Sequence, residues 1–215
     1  MYRIALVALL AAFSGNAAAK QDIDKVNGSI RAEAGQEYGS LETVNGSIRV
    51  EAEASADSVE TVNGSVRVDS GARLGSVETV NGGIRLDEGV VVSRSVETVN
   101  GGIDIGRASR VDGEVSTVNG RIELLQAELG AGIQTVNGDI TVGEGSTVRG
   151  GIVVEKPKGW FQWGKQRAPR IVIGPNAVVE GELRFEREVE LFVHASAKVG
   201  RISGADAKSY SGATP

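Results

Sequence analysis

Few residues in this chain could do covalent chemistry. There is one histidine, His194, and no cysteine, so thiolate nucleophiles, disulfides and thiolate metal sites are excluded. His194 falls in a stretch like the hexapeptide coils of some acyltransferases, which use a histidine base. No partner for it stands out in the sequence, so a surface position is the simpler expectation. Aspartates and glutamates are spread along the chain rather than gathered, and no acid–base carboxylate pair can be picked out. The calcium-binding nonapeptide pattern is absent as well. The expectation is a non-enzymatic chain with no cofactor and no resident metal. Residues suited to non-covalent contact are easier to find. Segment 156–169 holds both tryptophans, Trp160 and Trp163, with Phe161, Lys158, Lys165 and Arg167, and prolines flank it. A basic, aromatic loop of this kind suits a membrane surface, a glycan or a protein partner.

The elements that must carry such a loop are set by a repeat. Val-Asn-Gly occurs seven times, with asparagine at Asn27, Asn45, Asn63, Asn81, Asn100, Asn119 and Asn137, at spacings of 18 or 19 residues. A short fixed period means one structural unit stacked on copies of itself. In the unit Ser58–Val68, Val59 and Thr61 share one face before the turn, and Val66 and Val68 share one after it. Both runs therefore read as half-buried strands. Asn-Gly marks a turn, because these residues tolerate positive φ.

Asn-Gly between alternating strands also signals a hairpin, so an antiparallel β meander is the rival architecture. The rest of the unit argues against it. Small and apolar residues recur between glycines, as in Ala72 and Leu74, Val90 and Val92, and Ala127 and Leu129. That pattern predicts a third short strand. The fold expected is all-β: a parallel β-solenoid of about ten triangular coils, roughly 45 Å long at the usual strand spacing.

Stacking turns the repeat into columns. Thr43, Thr61, Thr79, Thr98, Thr117 and Thr135 should point inward, as should Ile30, Ile48, Val66, Ile84, Ile103, Ile122 and Ile140. The seven asparagines should form a hydrogen-bonded ladder at the corner. Val44, Val62, Val80, Val99, Val118 and Val136 should face outward, either as a long apolar stripe of the kind that commonly marks an association surface or tucked away by the geometry of the corner. Arg31, Arg49, Arg67 and Arg85 line one side of the corner and Glu42, Glu60, Glu78 and Glu97 the other, each row expected to be solvated and partly neutralised by its neighbour.

Beyond Val142 the unit loosens. The stretch 142–152 aligns with 173–183 after an interval of 31 residues, so segment 156–169 reads as an insertion. Insertions leave solenoids as loops on one face. The solenoid domain is expected over 20–202, followed by a small, polar, disordered tail at 203–215. At the other end, residues 1–19 read as a secretory signal peptide: Arg3 precedes the apolar run Ile4–Phe13, and Ala17-Ala18-Ala19 supplies a small-residue cleavage site. That run is too short to span a bilayer, and no later segment is long and apolar enough to do so. A periplasmic or secreted location follows. The net charge of -5 carries no nucleic-acid footprint.

The string VETVNGSIRV and its copies, over residues 23 to 142, resemble the T-x-[NS]-G-[DSG]-I repeats of bacterial adhesin-type domains. VGEGSTVRGGI and IGPNAVVEGELRF, within 142 to 202, resemble bactofilin-type polymer-forming coils. Both resemblances imply a parallel β-solenoid and supply no catalytic residue. The second also implies end-to-end assembly, although bactofilins are typically cytoplasmic and this chain carries an export signal. The function expected is a structural or adhesive surface of the bacterial cell envelope, self-associating or binding an envelope polysaccharide or protein. The alternatives are an enzyme acting on envelope glycans and a polymer-forming scaffold.

Overall fold

A computed structural model describes residues 20–157 and 167–215. The chain forms a parallel β-solenoid of ten coils. Ten short strands, from Ile30–Ala32 to Ala207–Tyr210, stack in chain order as one sheet. A sixteen-stranded sheet carries the other two sides. In the early coils those two sides run together as one strand, as in Ser55–Asn63. From the coil of Ile84–Leu86 onward they separate, as in Val91–Val92 and Val96–Asn100.

Every pairing is parallel, and residues meet their repeat equivalents. Thr98 lies beside Thr79 and Thr117, Asn100 beside Asn81 and Asn119, and Ile103 beside Ile84 and Ile122. The antiparallel meander is thereby ruled out. The 31-residue interval is bridged without loss of register, since Ile140 pairs with Ile171 and Val142 with Ile173.

The inward columns make one continuous core. Ile30, Ile48, Val66, Ile84, Ile103, Ile122 and Ile140 are all buried, as are Ala72, Leu74, Val90, Val92, Ala127 and Leu129 on the third side. Fully burying each large aliphatic side chain is worth about 1.5–3 kcal/mol, and β-branched residues suit the pleated wall.

The corners differ from the sequence expectation in one respect. Gly46, Gly64, Gly82 and Gly101 do not take a left-handed φ. They are glycine because the coils nearly touch there: a Cβ on Gly64 would collide with the backbone carbonyl of Gly46, and the same holds at each coil above. Gly28, in the first coil, does take a positive φ of 110°, but in eight successive coils the left-handed residue lies at another corner, at Gly35, Glu53, Gly71, Gly89, Ala108, Gln126, Gly145 and Asn176.

The tail is also more ordered than expected. Ala207–Tyr210 pairs with the strand Glu190–His194, and the Tyr210 hydroxyl donates to the Ile173 carbonyl at 3.3 Å. The solenoid therefore extends past residue 203. Small polar side chains suffice there, because the pairing is made by backbone groups that would otherwise leave an open strand edge.

Two substitutions separate the two kinds of corner. Gly64→Ala should lower stability by about 3 kcal/mol or more, since the obstacle is backbone that cannot step aside. Ala108→Gly should raise it by about 1 kcal/mol by relieving a left-handed L-residue at φ 54°. Chemical denaturation followed by circular dichroism reads both; equal effects of the two changes would refute the distinction.

Candidate functional site

The T-x-N-G corner is built from three interlocking contacts. The Thr61 hydroxyl, inside the coil, donates to the Gly46 carbonyl at 2.8 Å. Thr43, Thr79, Thr98 and Thr117 repeat this bond to the corner glycine of the coil before, at 3.0–3.1 Å. Outside, each asparagine amide donates to the side-chain oxygen of the previous asparagine, at 2.9–3.1 Å from Asn45 through Asn137. The last oxygen in the ladder, on Asn137, accepts from the Arg187 guanidinium at 2.6 Å, which also donates to the Val136 carbonyl at 3.1 Å. Arg187 thus ends a file that has no further asparagine to continue it.

The outer face of the same strands carries the feature most suited to binding. Glutamate and valine flank each inward threonine, so both side chains emerge on one side. Stacking gives a glutamate column beside a valine column, and together they line a groove of about 670 Å³. The groove runs from Asp24, Lys25 and Val26 in the first coil to Glu155, Lys156 and Pro157. Val44 is 38% exposed, Val62, Val80, Val99 and Val118 are half-buried, and Val136 is only 6% exposed. At the open end Val26 is 66% exposed. Lys25 takes the threonine position there and donates to the Ser29 carbonyl at 2.8 Å.

The two charged columns meet different fates. The arginines are not neutralised across the corner by the glutamates. Each reaches forward to a carboxylate of the next coil: Arg31 to Glu51, Arg49 to Asp69 at 2.8 Å, Arg67 to Asp87 at 2.8 Å, and Arg85 to Asp104 at 2.9 Å. These exposed pairs contribute little singly, but they leave that face electrically balanced. Among the described residues no ion pair joins Glu42, Glu60, Glu78 or Glu97 to a cation. Partial burial pushes the carboxyls of Glu42, Glu60 and Glu78 above their ordinary range. Neighbouring carboxylates add to the shift, and Arg94 opposes it at Glu60 and Glu78. Arg94 itself donates to the Asp57 carbonyl at 2.7 Å and to the Ser76 hydroxyl at 3.2 Å.

Neither a protein-family model, nor a curated protein, nor a solved structure matches the chain. The site must therefore be read from its own residues.

Of the proposed aromatic loop, Trp160, Phe161, Trp163, Lys158 and Lys165 lie outside the described residues. Arg167 is described and forms an ion pair with Asp139. Pro157, the last described residue before Lys158, lines the end of the groove. His194 lies near the other end of the rod, edge-on to Tyr210 with ring centroids 5.0 Å apart, and its Nδ1 is 2.8 Å from the Ser196 hydroxyl. No carboxylate is bonded to that histidine among the described residues. The described residues contain no group of three or more potential metal ligands, and no described helix is long and apolar enough to cross a membrane.

The glutamate column sets a pH dependence. Its folded carboxyls bind protons more tightly than unfolded ones, so their effect on stability is most favourable below the ordinary carboxylate pKa of about 4.3 and is lost as pH rises through the raised folded values. Replacing Glu60 and Glu78 together by glutamine should therefore raise the melting temperature at pH 7. The gain should shrink towards zero by pH 4. A gain that is constant across this range, or a loss at pH 7, would contradict the unfavourable charge of the column.

Proposed function

We propose that this chain is an exported, non-enzymatic β-solenoid of the bacterial cell envelope, structural or adhesive in role, which makes its contacts along the valine-lined groove. The observation that carries this reading is the valine column itself. Apolar side chains repeated on the outer face of successive coils gain nothing from water, and a continuous apolar strip along a groove suits an interface. The sequence repeat supports the same reading. It presents identical groups at every coil, which suits a long contact surface and not the convergence of different groups that catalysis needs. Export rests on the leader-like segment 1–19. The resemblance of the T-x-N-G units to adhesin-type repeats, and of the later coils to bactofilin-type ones, points towards surface contact or assembly in place of turnover.

The variant carrying Val62→Thr, Val80→Thr and Val99→Thr keeps shape and β-propensity while making the groove polar. It should fold as the parent does by circular dichroism and bind envelope fractions about a hundredfold more weakly, since each of the three valines loses about 1 kcal/mol of burial against a partner. A second variant, Trp160→Ala with Trp163→Ala, tests the loop separately. Unchanged retention in both would remove the contact role.

A further inference from the structure

We infer that the groove seats a cationic amphipathic α-helix, its apolar face over the valines and one row of its lysines or arginines over the glutamate column. The inference deepens the contact reading above and rests on it. Charge comes first. Glu42, Glu60, Glu78 and Glu97 stand in one file along the groove, without an ion-pair partner among the described residues, while the arginines of the neighbouring sheet are each matched to a carboxylate. Lys25 and Lys156 lie at the groove's two ends and Arg94 comes near Glu60 and Glu78, but four carboxylates from Glu42 to Glu97 keep the first half of the groove acidic. A partner seated on the valines brings its flank within reach of these carboxylates, and only a cationic flank avoids burying them further unpaired. Anionic glycans and anionic lipid headgroups are disfavoured by the same file.

Spacing then selects the conformation. Glutamates and valines recur once per coil, at about 4.8 Å along the rod. One turn of an α-helix rises about 5.4 Å, so a helix lying along the groove brings one apolar and one cationic residue to nearly every coil. Four carboxylates span three coil steps, about 14 Å, over which the mismatch reaches only about 2 Å. Flexible lysine side chains absorb that. An extended strand laid the same way repeats its face at about 6.8 Å and falls out of step after one or two coils. The five accessible valines from Val44 to Val118 cover about 19 Å, the length of roughly thirteen helical residues. Helix-in-groove recognition of this kind needs only an apolar floor and one charged rim.

The test uses fluorescence anisotropy with the purified protein and a labelled eighteen-residue leucine–lysine amphipathic helix. Its controls are a leucine–glutamate helix of the same pattern, an all-lysine peptide, and a peptide of residues 1–19. Binding of the leucine–lysine helix should weaken at least tenfold in the variant Glu42→Gln, Glu60→Gln, Glu78→Gln, Glu97→Gln, in the three-valine variant, and between low and high salt. Equal affinity for the leucine–glutamate helix, or undiminished binding to the glutamine variant, would overturn the inference. Equal binding of the all-lysine peptide would reduce the groove to a charge patch and also overturn it. Tighter binding of the 1–19 peptide would assign the groove to the chain's own leader, and self-association abolished by the valine changes would assign it to a second copy. If the helix fails to bind while those valine changes still release the protein from envelope fractions, the inference falls and the contact surface stands; if retention is unchanged too, both fall.

Discussion

In the coils from Thr43 to Thr117, each corner is pinned to the one before it at one carbonyl. The Gly46 oxygen accepts the Thr61 hydroxyl from inside and lies against the Cα of Gly64 from above, where no side chain fits. The asparagine ladder pulls the same corner together from outside. Three residue types thus act on one point, each for a different reason: a short branched donor, an amide able to donate and accept along a file, and an absent side chain. Slipping the register by one residue would turn threonine outward, break the ladder and place a Cβ against the carbonyl. Such a slip also moves every core residue to the solvent face. The corner and the aliphatic core therefore specify the register together, the corner through polar partners and the core through burial.

Once register is fixed, the outer face is fixed with it. Because threonine must point in, the glutamate and valine on either side of it must point out, and they do so in every coil that carries the full motif. The groove is then a by-product of the corner in geometry but not in composition. Nothing in the stacking requires valine there. A polar β-branched residue would serve the strand equally well, so the valine column is a choice that the fold alone does not explain.

Much of this was legible in the sequence because a column of identical residues is visible as a period. The threonine, asparagine and isoleucine files, the third side at Ala72 and Leu74, and the resumption of the coil after the insertion could all be read that way. What escaped notice lacked a constant residue. The left-handed corner is glycine in some coils but Glu53, Ala108 or Gln126 in others, since backbone hydrogen bonds to adjoining coils hold it whatever the side chain. Most arginine partners were missed because they follow the strand of the next coil and do not stand in the arginine file, 20 residues away for Arg49 and Asp69; only Asp104 lies directly beside its arginine, Arg85. Arg187 caps a ladder 50 residues earlier in the chain, and no local pattern marks it. The closing strand Ala207–Tyr210 has no apolar alternation, because it contributes backbone and not core. For the groove, both columns were visible, but the contrast between a balanced arginine file and an unpaired glutamate file required three-dimensional partners.

The decay of the repeat has its own consequence. A perfectly repeated face would bind a repeated partner equally well in every register, shifted by one coil or by several. This face is not perfect. Ser116 follows Glu97 in the acidic file, Gln134 follows Ser116, and Val153 follows Gln134, while Glu155 and Lys156 line the end of the groove. In the valine file, exposure falls from Val44 to the buried Val136. Acidity and accessibility both concentrate in the first coils and fade together. A partner carrying charge along part of its length and apolar residues along the rest would lose contacts on any shift towards the later coils. The same substitutions that blur the repeat in sequence thus give the rod a direction, and a stacked array needs one if it is to hold a partner in a single position.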